Sequence, residues 1–413
     1  MMLPVRLWIR RSSALLAFPA MLVIVFLVLF SRSGWSWERS QAVSWSTAST
    51  ILLGPLAAGL VAFDVWRRQT STMRELAAST RRGTAGIFAL ALAAWLLAVL
   101  AWLSGLGVAL AMASSNGAAG PVPWWTIVQG LLVMLACVCI GALIGATFRS
   151  VAAAPVAAVV CYLVPIGANI FGLQGFMTAG GATAPLIGIT QDRTIAVVLV
   201  LAAALVAALA WAMVRRSTAP TDAFVSVGAA VLGVALVGSL VYLNTLSPVL
   251  RTMQPSASAE VCVGSSPEVC GPGEGAALYA VAADDLQSAG QLLSKDGVPL
   301  RDRYDYPRGD IMIPPGGAGM LSLSPSEVTD DGHLAPWDVA LTIATPSVCA
   351  AYYGDTPPND LLDAQGSLAT WIVDRLSGEG GDSPADADGA QRAMEALQTC
   401  DGGAAGSWTY VSD

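Results

Sequence analysis

At 413 residues, 55% apolar and only 12% charged, the chain holds too much apolar material and too few charges for an ordinary soluble protein. Its charge is divided: residues 1–246 carry 14 arginines, no lysine and five acids, a net of +9, whereas residues 247–413 carry seven bases and 24 acids, a net of −17. That break falls at the end of the last apolar run. It separates a membrane part, 1–246, from an aqueous part, 247–413, whose negative charge disfavours nucleic-acid binding.

Seven apolar runs approach or exceed the roughly 20 helical residues that cross a hydrocarbon core. They are Ser13–Phe30, Val43–Phe63, Gly86–Met112, Trp125–Phe148, Val151–Phe171, Thr194–Val214 and Ala223–Leu246. The first has the basic flank of a signal peptide, but its exit, Phe30-Ser31-Arg32-Ser33-Gly34, lacks a small-x-small cleavage site, so it is expected to remain. The second is the most polar, with Ser44, Ser46, Thr47, Ser49 and Thr50 in one half. Trp35, Trp37, Trp45, Trp124 and Trp125 read as a belt at headgroup level.

Between the second and third runs lies a basic island, Trp66 to Gly83. At 100° per residue Trp66, Met73, Leu76 and Ala77 share an arc of about 100°, with Arg67, Arg68, Arg74, Arg81 and Arg82 outside it, which predicts an amphipathic helix. With a cytoplasmic N-terminus, inside segments carry eleven arginines and outside loops only Arg32, Arg39 and Arg193. That asymmetry predicts an inside N-terminus and, with seven spans, an outside C-terminal domain. On its residues alone the island serves equally a helix resting on lipid headgroups.

The order Asp64, Arg67, Arg68, then Arg74, Glu75, Leu76, then Ser79, Thr80 and Arg81 resembles the cytoplasmic helix that follows the second span in permease subunits of the ATP-binding-cassette (ABC) type-2 exporter family. Two positions depart: Ser71 stands where the family usually has Gly, and Arg81 where it has Pro. The resemblance implies that 66–83 is a coupling helix docking on a separate ATPase subunit. Its candidate contact residues are Trp66, Arg67, Arg68, Met73, Arg74, Glu75, Leu76, Ser79 and Thr80.

Residues 172–193, GLQGFMTAGGATAPLIGITQDR, are too short and too interrupted by Gly180-Gly181 and Pro185 for two spans, yet too apolar for a solvated loop. A re-entrant pair of half-helices fits, and the resembled family has such an element before its sixth span. The resemblance thus extends over about residues 1–216; the seventh span departs from it. No ionisable residue falls in the middle of a span, so nothing supports an intramembrane proton relay. Gln129 and Asn169 read as partners in interhelical hydrogen bonds.

Beyond residue 247 a helix is predicted around Leu278, Val281, Ala282, Leu286, Ala289 and Leu293, with Gly297 as its C-terminal cap. Short strand-like runs follow at Asp310–Ile313, Met320–Leu323 and Asp338–Ile343, then helices at Asn359–Leu376 and Ala385–Cys400. The expected fold is mostly α: a six-span permease-like bundle plus a seventh span, then a small α+β extracytoplasmic domain. Such a domain on a seventh span resembles a subset of actinobacterial ABC permeases. Cys137, Cys139 and Cys161 fall inside spans; Cys262, Cys270, Cys349 and Cys400 form an even set expected to make two disulfides, with three pairings open.

The chemistry of catalysis is missing from the sequence. Lys295 is the only lysine, so no Walker A loop exists and an ABC ATPase must be a separate polypeptide. His333 is the only histidine, which excludes a His-Glu-x-x-His site, and no Gly-x-Ser-x-Gly elbow accompanies it. Asp382, Asp386 and Asp388 lack EF-hand spacing and read as a solvated acidic loop. The expectation is therefore no enzyme, no metal and no cofactor: a permease in membrane lipid, a homodimer or a heterodimer with a second permease subunit, moving a hydrophobic or amphipathic compound outward. The alternative is a membrane-anchored extracytoplasmic binding or sensor protein.

Overall fold

A computed structural model describes residues 12–31, 34–68, 85–148, 150–170, 189–191, 193–218, 231, 233–235, 253–255, 258–306, 318–321, 328–329, 331–346, 349, 358–378, 383–401 and 408–410. The chain is mostly helical with small sheets. The apolar part forms α1 (Ser13–Leu29), α2 (Arg39–Ala48), α3 (Thr50–Arg68), α4 (Ala85–Ser115), α5 (Trp124–Thr147), α6 (Ala153–Ile170) and α7 (Arg193–Thr218). Among the described residues four stretches are long and apolar enough to cross a membrane: Arg39–Arg68, Gly86–Ser115, Trp124–Thr147 and Val197–Arg215. The apolar helices Ser13–Leu29 and Ala153–Leu163 are shorter. Helices of this length and apolarity are consistent with a membrane protein.

The second apolar run is two helices, α2 and α3, joined at Ser49. In its polar half three hydroxyls bond back to backbone carbonyls three residues earlier, Thr47 Oγ1 to Ser44 O (2.7 Å), Ser49 Oγ to Ser46 O (2.8 Å) and Thr50 Oγ1 to Thr47 O (2.7 Å), while Ser46 Oγ is buried without a partner. Hydroxyls satisfied in this way no longer demand water.

Small residues bring α3 and α5 together. A Cβ on Gly141 would lie 2.7 Å from Ala58 Cα, and one on Gly145 would lie 2.6 Å from Ala62 O. This is small-xxx-small packing on both helices. The pairs 54/137, 58/141 and 62/145 rise together, so α3 and α5 run parallel. By contrast, α1 runs against α3, with Ser13 beside Leu60 and Asp64, and α6 does too, with Ala154 beside Gly59. In α4, Gly105 lies on Val25 of α1, and Phe88 stacks edge-on to Trp211 of α7 at 5.4 Å. One end of the bundle thus gathers Ser13, Asp64, Arg67, Arg68, Phe88, Trp211 and Arg215; we call it the basic end.

The opposite end holds β1 (Ile189–Gln191), just before α7, paired antiparallel with β2 (Met253–Pro255). Helix α7, 26 residues and so about 39 Å long, carries the chain from that end to the basic end. β2 therefore lies beside β1, at the end of the bundle opposite the C-terminal end of α7. The expected span Ala223–Leu246 lies outside the described residues except 231 and 233–235, which are helical at 231 and 233–235. Of the expected re-entrant element 172–193, only 189–191 and Arg193 are described, and 189–191 form a strand.

The C-terminal part has a four-stranded sheet in the order β3 (Glu260–Val263), β4 (Glu268–Pro272), β5 (Arg303–Asp305), β6 (Gly319–Met320). β3 and β4 are an antiparallel hairpin; β4, β5 and β6 are parallel, with α8 (Ala276–Leu293) crossing from β4 to β5. α9 (Pro336–Ala344), α10 (Asn359–Ser377) and α11 (Pro384–Thr399) complete a core of Val269, Leu286, Tyr304, Ile343, Leu368, Trp371 and Leu397, among others. After α8 the turn 294–296 ends on Gly297 in the left-handed region (φ 73°), the cap expected there.

Two expectations need correction. Asp338–Ile343, read as a strand, is helix α9: Pro336 occupies its first turn, and Val339, Ala340 and Ile343 are buried at helical spacing. Of Met320–Leu323, Met320 is in a strand and Leu321 is not; residues 322–323 and Asp310–Ile313 lie outside the described residues. Trp35 and Trp37, read as headgroup anchors, are packed in protein, Trp35 on Phe30 and Trp37 against the C-terminal core; Trp45 Nε1 donates to Leu29 O at 3.2 Å. Trp124 and Trp125 are exposed, as a belt requires.

Of the three possible pairings, the structure has Cys262 with Cys270 and Cys349 with Cys400, with Cα separations of 4.1 Å and 5.2 Å. Cys262 and Cys270 are direct cross-strand partners in the β3–β4 hairpin. Cys137, Cys139 and Cys161 are free and buried between helices.

Candidate functional site

The coupling residues expected from sequence divide at the end of α3. Trp66, Arg67 and Arg68 form its last turn, continuous with the apolar helix, while Met73, Arg74, Glu75, Leu76, Ser79 and Thr80 lie outside the described residues. Trp66 leans on Phe63 with ring centroids 5.8 Å apart, and the Arg67 guanidinium lies 5.7 Å from the centroid of the same Phe63 ring.

One turn earlier sits Asp64, only 1% exposed. Its Oδ2 accepts from Ser12 Oγ at 3.0 Å and from the Ser13 backbone N–H at 2.9 Å. Ser12 is the N-cap of α1, its Oγ also accepting from Ala14 N, and Ser13 Oγ donates to Leu60 O at 3.4 Å. The end of α3 is thus fastened to the start of α1 by a carboxylate set at the positive end of that helix. Arg67 Nη2 stands 3.7 Å from the other oxygen, Oδ1. At 49% side-chain exposure Arg67 faces outward while Asp64 faces in, so the pair spans the boundary between the bundle and the basic segment beyond it.

Sequence reading assigned no role to Ser12 or Ser13. The signal was there: two serines directly before an apolar run are an N-cap pattern. What one dimension hides is that the acceptor comes from another helix, 51 residues away.

Two further clusters among the described residues bring ionisable groups together. Glu260, Cys262 and Cys270 hold potential ligand atoms within 4.8 Å of one another. Both sulfurs are in a disulfide, however, and so present no thiolate, and Glu260 pairs with Arg303 at 2.7 Å. His333 Nδ1 lies 2.8 Å from Asp285 Oδ1, and the Leu334 N–H donates to Asp285 Oδ2 at 2.7 Å. The Asp285 hydrogen bond, then its charge, raise the His333 pKa above its ordinary value. No hydroxyl is bonded to the His333 ring among the described residues, so the arrangement is an aspartate tying the 329–334 turn to α8. Asp386 and Asp388, read as loop, belong to α11, whose N-cap Ser383 accepts from Asp386 N; Asp382 lies outside the described residues.

No family, no curated protein and no solved structure matches the chain.

Proposed function

We propose that the chain is the permease subunit of an ABC exporter of the type-2 kind. In this reading it is a seven-span protein of the cell membrane with a cytoplasmic N-terminus and an extracytoplasmic domain at 247–413. Two permease subunits, identical or paired with a second kind, form the path for a hydrophobic or amphipathic substrate. The energy comes from a separate ATPase subunit.

The observation that carries the reading is the joint at the basic end. Arg67 and Arg68 lead directly into 69–83, the segment with the exporter-like order of Arg74, Glu75, Leu76, Ser79 and Thr80, and Asp64 ties the same turn to the start of α1. A displacement of 69–83 by a closing ATPase would therefore move two helices together. The gathering of Arg67, Arg68 and Arg215 at one end agrees with that end being cytoplasmic.

The test is affinity purification of the full chain from membranes of its native host. An ATP-hydrolysing subunit should come with it, and Met73→Asp together with Leu76→Asp should lose that subunit while membrane insertion stays intact. Retention by the double variant would leave 69–83 as a headgroup anchor. No ATPase with the unaltered chain would favour an anchored binding or sensor protein.

A further inference from the structure

Two acids meet where the C-terminal part rests on the bundle. Glu38, in extended conformation just before α2, is 3% exposed. Its Oε1 accepts from Ser40 Oγ, while Oε2 is buried with no hydrogen-bond partner. Across the contact is Glu274, 8% exposed, in the turn 273–275 that leads into α8, its Oε2 accepting from Ser258 Oγ.

The contact is closely built. Gly120, between α4 and α5, has φ 93° and approaches so near that a Cβ there would lie 2.9 Å from Glu274 Cγ. Beside Glu38, Trp37 packs against the C-terminal core, 3.7 Å from the position a Cβ would take on Gly332. Asn116 Nδ2 donates to Ser36 Oγ at 2.8 Å, fixing the loop that carries both Trp37 and Glu38.

Nothing among the described residues neutralises the pair. Arg39 follows Glu38 but forms no ion pair with either acid, and the loop 116–120 brings no ionisable residue. The nearby turn 329–334 carries His333 and Asp331, but His333 is engaged with Asp285. Two carboxylates buried at one contact, one with a bare buried oxygen, cannot both hold a negative charge without a heavy desolvation and repulsion cost.

We propose that Glu38 and Glu274 form a proton-operated latch: the C-terminal domain docks on the bundle with a proton held on Glu38, and loss of that proton releases it. Burial, with the Glu274 charge adding to it and Ser40 opposing it, pushes the Glu38 pKa from 4.5 to about 8. Docking therefore takes up a proton between those two values. It is tightest below pH 4.5, weakens as pH rises through the window because the released form loses its proton first, and levels off above about 8. Within the window the docking constant falls by about tenfold per pH unit. The latch does not depend on the transport reading.

The test uses the full chain in lipid nanodiscs with spin labels on exposed Ser115→Cys and Ser288→Cys, since Cys137, Cys139 and Cys161 are buried. One short, narrow distance is expected at pH 6, with a longer, broader population added at pH 9. Glu38→Gln, a neutral isostere, should keep the narrow distance at both values, and His333→Gln should leave the response unchanged. Identical distributions at pH 6 and pH 9 in the unaltered protein would overturn the latch. So would a response that survives Glu38→Gln or vanishes with His333→Gln. A narrow distance that at pH 9 requires millimolar calcium or magnesium, and is indifferent to pH in chelator, would make the pair a cation site and equally overturn it.

Discussion

Replacing Asp64 by alanine should loosen the bundle at its basic end. The change leaves the buried Ser12 hydroxyl and the half-buried Ser13 N–H, both now bonded to Oδ2, without their acceptor. An orphaned buried donor costs about 1–3 kcal/mol. Two offsets reduce the total: Ser12 still accepts from Ala14 N and can turn its hydroxyl, and the variant no longer buries a carboxylate whose Oδ1 has only Arg67 at 3.7 Å. The net loss should be about 2–4 kcal/mol. For a unit of this size that is a fall in Tm of roughly 4–16 °C. Asp64→Asn, which keeps one acceptor oxygen, should lose less, and Arg67→Ala, at an exposed partner, under about 1 kcal/mol. The buried free cysteines supply the assay, because a thiol-reactive fluorophore reports their exposure on heating in detergent. A Tm for Asp64→Ala within about 1 °C of the unaltered protein would refute the reasoning.

The same assay separates two glycines. Gly141→Val should destabilise by about 1–3 kcal/mol or more, since its Cβ meets the backbone of Ala58, while Gly107→Ala, with nothing within 4 Å, should be neutral or gain up to about 1 kcal/mol of helix propensity. Removing the Cys349–Cys400 bridge by a double serine substitution should cost the C-terminal domain about 2–4 kcal/mol, measured by denaturant unfolding. Peptide mapping without reductant should recover Cys262 with Cys270 and Cys349 with Cys400; four free thiols would contradict both bridges.

Much of the helical framework could be read directly because apolar length and helical period are local properties: α4 and α5 begin and end within a few residues of the apolar runs that announce them. What could not be read depends on partners distant in sequence. Trp37 looked like a headgroup anchor because only the fold brings Gly332 beneath its ring. Asp338–Ile343 is short and β-branched, so periodicity alone leaves strand and helix open, and the deciding signal was Pro336 in the first turn. Asp64 was visible as the acid that opens the exporter-like motif, but its task of holding the start of α1 needed Ser12 and Ser13 in three dimensions. Glu38 gave no sign at all. A lone acid between two apolar runs is ordinarily solvated, and its burial follows from the docking of Trp37 against the C-terminal core.

The central claim is that residues 69–83 meet an ATPase, and the most direct measurement is photo-crosslinking in native membranes from a benzoylphenylalanine placed at position 76. Leu76 lies on the apolar arc of the predicted helix, the face a partner groove would take. The account predicts one dominant adduct between this chain and an ATP-binding polypeptide, lost when Met73 is changed to aspartate in the same chain. Adducts to lipid alone, with no ATP-binding polypeptide among the products, would contradict it.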